Sequence, residues 1–203
     1  MVGYCFTSCS EGSLMPASSK KIFTLNDSIP FLLKGIQNGD LALRLGNDIT
    51  SNMLAALNTK DKRFSHVGIC VEEEHRKYIY HIIGGEGNND DYILKTPLDS
   101  FFNAENNLSF GYASTSLSTK EKEVLFQIIK KWQQEKITFD MDFDLQTDNK
   151  MYCSEMVAKA LDYAVNGLKV PSTDTLNEKY FAVDNITGLS LVKQIFYIKN
   201  IKQ

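Results

Sequence analysis

The sequence lacks the features that mark several common classes of protein. Its apolar runs all fall short of the ~18 residues that a membrane-spanning helix needs. Lys and Arg total 22 against 25 Asp and Glu, a formal net charge of -3, whereas nucleic-acid-binding domains usually carry a basic excess. No internal repeat or low-complexity tract is found. We therefore expect a globular protein that binds no nucleic acid.

The chain has only four cysteines, which are too scattered for a disulfide framework. Phe6 to Cys9, "FTSC", resembles the lipobox of bacterial lipoproteins, in which the cysteine is lipidated. We therefore expect residues 1–20 to be a flexible leader that tethers an extracytoplasmic protein to a membrane through Cys9. The alternative is a cytoplasmic protein with a disordered N-terminus, because the few residues before Cys9 are not basic and are short for a signal peptide.

Residues 21–203 are predicted to form a single domain of the α+β class, a small antiparallel sheet with helices packed on one side. Alternating apolar residues and turn signals predict strands at 41–45, "HVGICV", "YIYHII", "DYILKT", "LSFGYAS" and "SLVKQIFYIKN". The turn "EEEHRK" joins the second and third of these into a hairpin. Ser118 and Glu121 have capping-box spacing before a helix that runs to about Lys136.

Cys153 lies where a second helix is predicted to begin, from about Tyr152 to Val165. Unpaired amides and the positive end of the helix dipole favour a thiolate there, as a nucleophile requires. The alternative is a buried structural cysteine, because Cys153 also continues the apolar stripe of Met156 and Val157. From the cysteine alone, burial is the more common outcome.

The chain has only three histidines. His75 belongs to the charged turn, where we expect it to be solvated. His66 and His81 lie on the two strands of the hairpin, and they share a face if Val71 pairs with Tyr78 or Arg76. Together with Cys153 they would supply a nucleophile, a base and a group that orients the base.

Three segments in order, "FSHVGICV", "YIYHII" and "FDMDFDLQTDNKMYCSEMVAKAL", resemble the permuted papain-like hydrolases of the YiiX/YaeF group. That group is related to the NlpC-type peptidases and to the lecithin:retinol acyltransferase family. "NGDLALRLGND" also resembles its opening strand, so the likeness covers roughly residues 35–165. It implies a circularly permuted papain-like fold with the catalytic cysteine at a helix N-terminus.

The resemblance implies Cys153 as nucleophile and His66 as base, with His81 at the third catalytic position. Much of the group has an acidic residue there, and a histidine resembles the acyltransferase branch. We expect a cysteine amidase or peptidase that cleaves an amide bond, consistent with a cell-wall peptide substrate. The alternative is an acyltransferase or thiol lipase that acts on an acyl lipid. No cofactor, metal or obligatory protein partner is expected.

Two hypotheses from other classes remain open. His66, His81 and Cys153 are acceptable zinc ligands, although their spacing matches no common zinc motif. The fold could instead serve a non-catalytic module that binds peptide or lipid. Two further groups are interpreted as structural. Tyr152 could donate its hydroxyl to an oxyanion hole, but we expect it to be a packing residue. We expect a solvated loop or rim from the aspartates at 140, 142, 144 and 148.

Overall fold

The structure is a computed structural model that describes residues 25–84, 92–175 and 178–199, with side chains from residue 29 onward. The predicted leader, residues 1–20 with Cys9, lies outside the described residues. Within them, no helix combines the length and apolar character that crossing a membrane requires.

A six-stranded antiparallel sheet is the centre of the fold, with strand order β4-β3-β2-β1-β5-β8. Its strands are β1 (Leu41–Gly46), β2 (His66–Glu73), β3 (Arg76–Ile82), β4 (Ile93–Pro97), β5 (Asn107–Thr115) and β8 (Val192–Lys199). A separate two-stranded ribbon is formed by β6 (Thr173–Asp174) and β7 (Lys179–Tyr180). Each strand predicted at 41–45, 66–71, 78–83, 91–96, 108–114 and 190–200 has a counterpart in the sheet, with ends that differ by one or two residues. Positions 91 and 200 lie outside the described residues.

The helices in the described part of the chain are short apart from α1, α4 and α5. They are α1 (Leu25–Gly35), α2 (Ile49–Ala56), α3 (Leu98–Phe101), α4 (Thr119–Gln134), α5 (Cys153–Ala164) and α6 (Val183–Thr187). The predicted capping box at the start of α4 is confirmed: Ser118 Oγ accepts from the Glu121 N–H, and the Glu121 carboxylate accepts from the Ser118 N–H.

Helices cover both faces of the sheet. On one face, α4, α5 and α6 pack on alternate side chains such as Val67 and Ile69. On the other, α1 and α3 pack on the intervening positions, including Cys70 and Ile79. The α+β class is confirmed, but the expectation of helices on one side only is wrong. The second layer was missed because α1 contains Pro30, a residue that usually interrupts a helix, and because α3 is a single turn.

The pairing of β2 with β3 has the register that the histidine prediction required. Val71 pairs with Tyr78 and Ile69 with Tyr80. Because side chains alternate along a strand, His66 and His81 therefore lie on the same face of the sheet. The prediction that they share a face is confirmed.

Gly68 makes room for this arrangement. A Cβ built at Gly68 would lie 2.5 Å from Ile79 Cγ2 and 2.9 Å from His81 Cβ, and the same distance from the Tyr80 carbonyl oxygen. Any side chain at this position would therefore push β2 and β3 apart at the histidines.

We expect Gly68→Ala to destabilise the protein by about 1–3 kcal/mol, the usual cost of overpacking a core. Urea denaturation measures it, with Glu72→Ala as the control, since Glu72 is exposed on the same strand. A stability equal to that of the wild type would show that the strands accommodate a methyl group here.

Candidate active site

Cys153 is the first residue of α5 and is 6% exposed. Its sulfur accepts hydrogen bonds from the backbone N–H groups of Val67 and Ser154. The pairing of β2 with β3 ends at Ile69, so the Val67 N–H lies beyond that ladder and is available to the sulfur. The nucleophile candidate therefore lies against the residue next to His66.

The start of α5 is fixed by bonds from two neighbouring side chains. The Glu155 carboxylate accepts from the Tyr152 N–H at 3.3 Å, and Ser154 Oγ donates to the Phe181 carbonyl at 2.7 Å. Glu155 also lies 2.9 Å from Lys159 Nζ, one turn along the helix. Burial nevertheless raises the pKa of Glu155 to about 7.

His66 and His81 form a bonded pair. Nε2 of His66 and Nδ1 of His81 are 2.9 Å apart, and their rings meet edge to face. The other nitrogen of His81, Nε2, is 2.8 Å from Thr96 Oγ1 on β4. His81 is 1% exposed, whereas His66, at the end of β2, is partly exposed. The contact with His81 therefore uses Nε2 of His66 and not Nδ1.

Phe101 and Arg44 complete the surroundings of the pair. The Phe101 ring lies 5.9 Å from the His66 ring and 5.1 Å from the His81 ring. The Arg44 guanidinium lies over Phe101, 4.8 Å from its centroid, and Arg44 is the β1 partner of His66. A permanent positive charge therefore lies close to both histidines.

Both histidines are neutral near pH 7. Burial, helped by the positive charge of Arg44, lowers the pKa of His81 to about 3. Burial, Arg44 and His81 hold the pKa of His66 well below its usual value. Neutral imidazoles have one donor and one acceptor nitrogen, so each ring in the pair has a defined tautomer.

The Cys153 thiol is also neutral in the resting site. Burial raises its pKa above the usual value, against the lowering effects of the Val67 and Ser154 N–H groups and of Arg44. The expectation that the helix N-terminus makes this thiol ionise easily is therefore wrong for the resting site. Loss of water around the sulfur outweighs the amides and the nearby charge.

The other residues considered from the sequence have structural positions. The Tyr152 hydroxyl accepts from the Phe181 N–H at 2.6 Å, so packing is the better interpretation. Asp140 is 1% exposed and accepts from the N–H groups of Asp142 and Asp144, so it organises the loop instead of being solvated. The other aspartates of the run, Asp142, Asp144 and Asp148, are exposed, as is His75 in the hairpin turn.

Sequence reasoning missed Arg44 and Thr96. Arg44 interrupts the apolar strand "LALRLG", and a charged residue within a buried strand was the signal available. Thr96 had no such signal, because a threonine on a strand is ordinary and its position depends on the register of β4 with β3.

Comparison with known proteins identifies the family. The profile of the permuted papain-like amidase enzymes, YaeF/YiiX, C92 family, matches residues 36–195. The chain belongs to this family. It is therefore a papain-like enzyme of the amidase and peptidase type, and at this level a cysteine hydrolase.

A solved structure agrees with this assignment. The crystal structure of metalloprotein yiiX from Escherichia coli O157:H7 superimposes with a TM-score of 0.60 at 19% identity, over 80% of this chain and 96% of that one. At this identity the similarity establishes the fold alone. No curated protein gives a significant match.

We expect the alkylation of Cys153 by iodoacetamide to rise with pH only above the ordinary thiol pKa of about 8.5, because burial favours the neutral thiol. Peptide-level mass spectrometry on the folded protein measures each cysteine. Arg44→Gln should move the Cys153 profile to higher pH, because a positive charge is lost. The control is Arg63→Gln, which removes a positive charge that is already paired with Asp61. A Cys153 profile that levels off below pH 7 would contradict this account.

Proposed function

We propose that the protein is a cysteine amidase that cleaves an amide bond in a peptide through an acyl-enzyme on Cys153. The observation that carries the proposal is the hydrogen bond from the N–H of Val67 to the Cys153 sulfur. Val67 follows His66 in β2, and Nε2 of His66 contacts Nδ1 of His81. Nucleophile, base and orienting group thus come from three separate segments. The family assignment supports the same chemistry.

In the proposed first step, His66 Nδ1 takes the thiol proton as the Cys153 sulfur attacks the substrate carbonyl carbon. The negative charge that develops on the carbonyl oxygen is stabilised by backbone N–H groups at the start of α5, with that of Cys153 itself as the first candidate. Because thiol and imidazole are both neutral at rest, the proton moves when the substrate is in place.

In the second step, the carbon–nitrogen bond breaks, and the leaving amine takes the proton from His66. The product is a thioester on Cys153. His66 then removes a proton from water, the hydroxide attacks the thioester, and the thiol is restored with release of a carboxylic acid. In both steps, His81 holds the His66 ring in place through the 2.9 Å contact between His81 Nδ1 and His66 Nε2.

A cell-wall peptide is the substrate we propose first. It rests on the amidase character of the family and on the lipobox-like "FTSC" of residues 6–9, which would hold the enzyme outside the cytoplasm. The lipid tether at Cys9 and this location are parts of the proposal.

An acyl lipid is the second candidate, and an exposed apolar face on α2 favours it. The face consists of Ile49 and Met53 of α2 and of Leu57, the residue that caps its end, which recur every fourth residue and are 80%, 67% and 41% exposed. The helix α2 packs on β1 and β2 and begins five residues after Arg44. A lipid chain would therefore have an apolar surface at the histidine end of the sheet. Such a substrate would make the enzyme a thiol lipase or an acyltransferase.

A metal centre fits these residues poorly, although the similar yiiX protein is described as a metalloprotein. The facing nitrogens of His66 and His81 are 2.9 Å apart, as in a hydrogen bond. Two nitrogens that face each other cannot also direct those lone pairs at one zinc ion. No group of three or more potential ligands in the described residues is arranged to hold a metal.

We expect Cys153→Ala to lower hydrolysis by at least about 10³-fold, because no other group replaces the nucleophile. His66→Ala should lose about 10²–10⁴-fold, the usual contribution of acid–base catalysis, and His81→Ala less. Rates on matched peptide amides and acyl esters, each with and without a chelator, measure this. Cys70→Ala is the matched control, because Cys70 is the other cysteine that is free and buried in the described part of the chain.

Full activity in Cys153→Ala would overturn the proposed mechanism. Activity on esters alone would favour the lipid candidate over the peptide. Loss of activity with a chelator, together with about one metal ion per chain, would favour a metal site. Inertness of the wild type toward both substrate classes would favour a non-catalytic binding module.

A further inference from the structure

The histidine pair continues into a third side chain, which belongs to β4. Ile79 pairs with Thr96 and His81 with Leu94, so Thr96 lies diagonally across from His81 on the same face of the sheet. Thr96 Oγ1 is 2.8 Å from His81 Nε2, and that nitrogen belongs to a side chain that is 1% exposed. The order of contacts is therefore Thr96, His81, His66.

Proton positions in this chain depend on one another. For Nδ1 of His66 to accept the thiol proton, the neutral His66 ring must carry its own proton on Nε2. The Nε2–H group of His66 then donates a hydrogen bond to Nδ1 of His81, which must be unprotonated. His81 must in turn carry its proton on Nε2, and Thr96 Oγ1 must accept a hydrogen bond from this N–H group.

The opposite polarity would disable the base. If Thr96 donated to His81 Nε2, the His81 proton would lie on Nδ1 and would be donated to Nε2 of His66. The His66 proton would then occupy Nδ1, the nitrogen left for the thiol. A hydroxyl at position 96 can donate or accept, so it permits the first polarity, whereas an apolar side chain of the same shape cannot accept and excludes it.

We propose that Thr96 is a positioning residue that fixes the tautomer of His81, and through it leaves Nδ1 of His66 unprotonated. The burial of His81 makes this effective, because a buried N–H without an acceptor is unfavourable. Without the hydroxyl, His81 satisfies its N–H only by placing it on Nδ1, toward His66. The inference rests on the proposed function for its catalytic consequence, but the tautomer itself can be observed without a substrate.

The test is the tautomer of each histidine, measured by two-bond ¹H–¹⁵N correlation spectra of the ¹⁵N-labelled full chain. We expect His66 and His81 to be Nε2–H tautomers in the wild type and in Thr96→Ser. In Thr96→Val we expect both to become Nδ1–H tautomers. His75, which is exposed in the hairpin turn, serves as an internal reference, and Thr138→Val, at an exposed threonine, is the control.

The same variants are then assayed for hydrolysis. We expect Thr96→Val to lose about 10- to 100-fold in kcat with little change in KM, a part of the ~10²–10⁴ that acid–base catalysis contributes. Thr96→Ser should retain most of the activity. If Thr96→Val changes the tautomers but keeps full activity, the catalytic role proposed for the hydrogen-bonded chain of Thr96, His81 and His66 is overturned.

The outcomes separate this inference from the proposed function. An Nδ1–H tautomer of His81 in the wild type, or unchanged tautomers in Thr96→Val, would overturn the inference whatever the activity. The expected tautomers together with a fully active Cys153→Ala would leave the inference intact and overturn the proposed mechanism. If Thr96→Val fails to fold, Thr96→Ser and the wild-type spectrum still decide the tautomer.

Discussion

The register of β2 with β3 is the constraint on which the site depends. Pairing of Ile69 with Tyr80 places His66 and His81 on one face, close enough for a 2.9 Å contact between their rings. A slip of one residue would turn one histidine to the opposite face. Gly68 protects this register, because a larger residue there would collide with Ile79 and with His81 itself. The end of the same pairing at Ile69 frees the Val67 N–H for the Cys153 sulfur.

Burial determines the electrostatic state of the site. It lowers the pKa values of both histidines and raises that of the Cys153 thiol, so each group is neutral near pH 7. The positive charge of Arg44 has opposite effects on the two groups that would exchange the proton, because it favours a thiolate at Cys153 and disfavours an imidazolium at the histidines. A neutral thiol and neutral imidazoles therefore describe the resting site better than a preformed ion pair, and in the proposed mechanism ionisation is linked to attack on the carbonyl.

Much of the fold could be predicted from the sequence because local signals were strong. The box at Ser118 and Glu121, the alternation of "HVGICV" and the apolar spacing in α5 each identify an element without reference to the rest of the chain. The second helical layer could not be predicted, since α1 and α3 are held by tertiary packing on the sheet. The positions of Arg44 and Thr96 follow from strand pairing, which single-strand patterns do not specify. The raised pKa of Cys153 was missed for a related reason: a helix N-terminus is visible in a sequence, and desolvation is not.

The most direct test of the account is to trap the acyl-enzyme. The protein would be mixed with a p-nitrophenyl acyl ester, quenched in acid within milliseconds to seconds, and mapped by peptide mass spectrometry. We expect the acyl mass on the peptide that contains Cys153, released by neutral hydroxylamine as a thioester is, and formed much more slowly in His66→Ala. An acyl group found only on lysines or on Cys70, with Cys153 unmodified during turnover, would contradict the account.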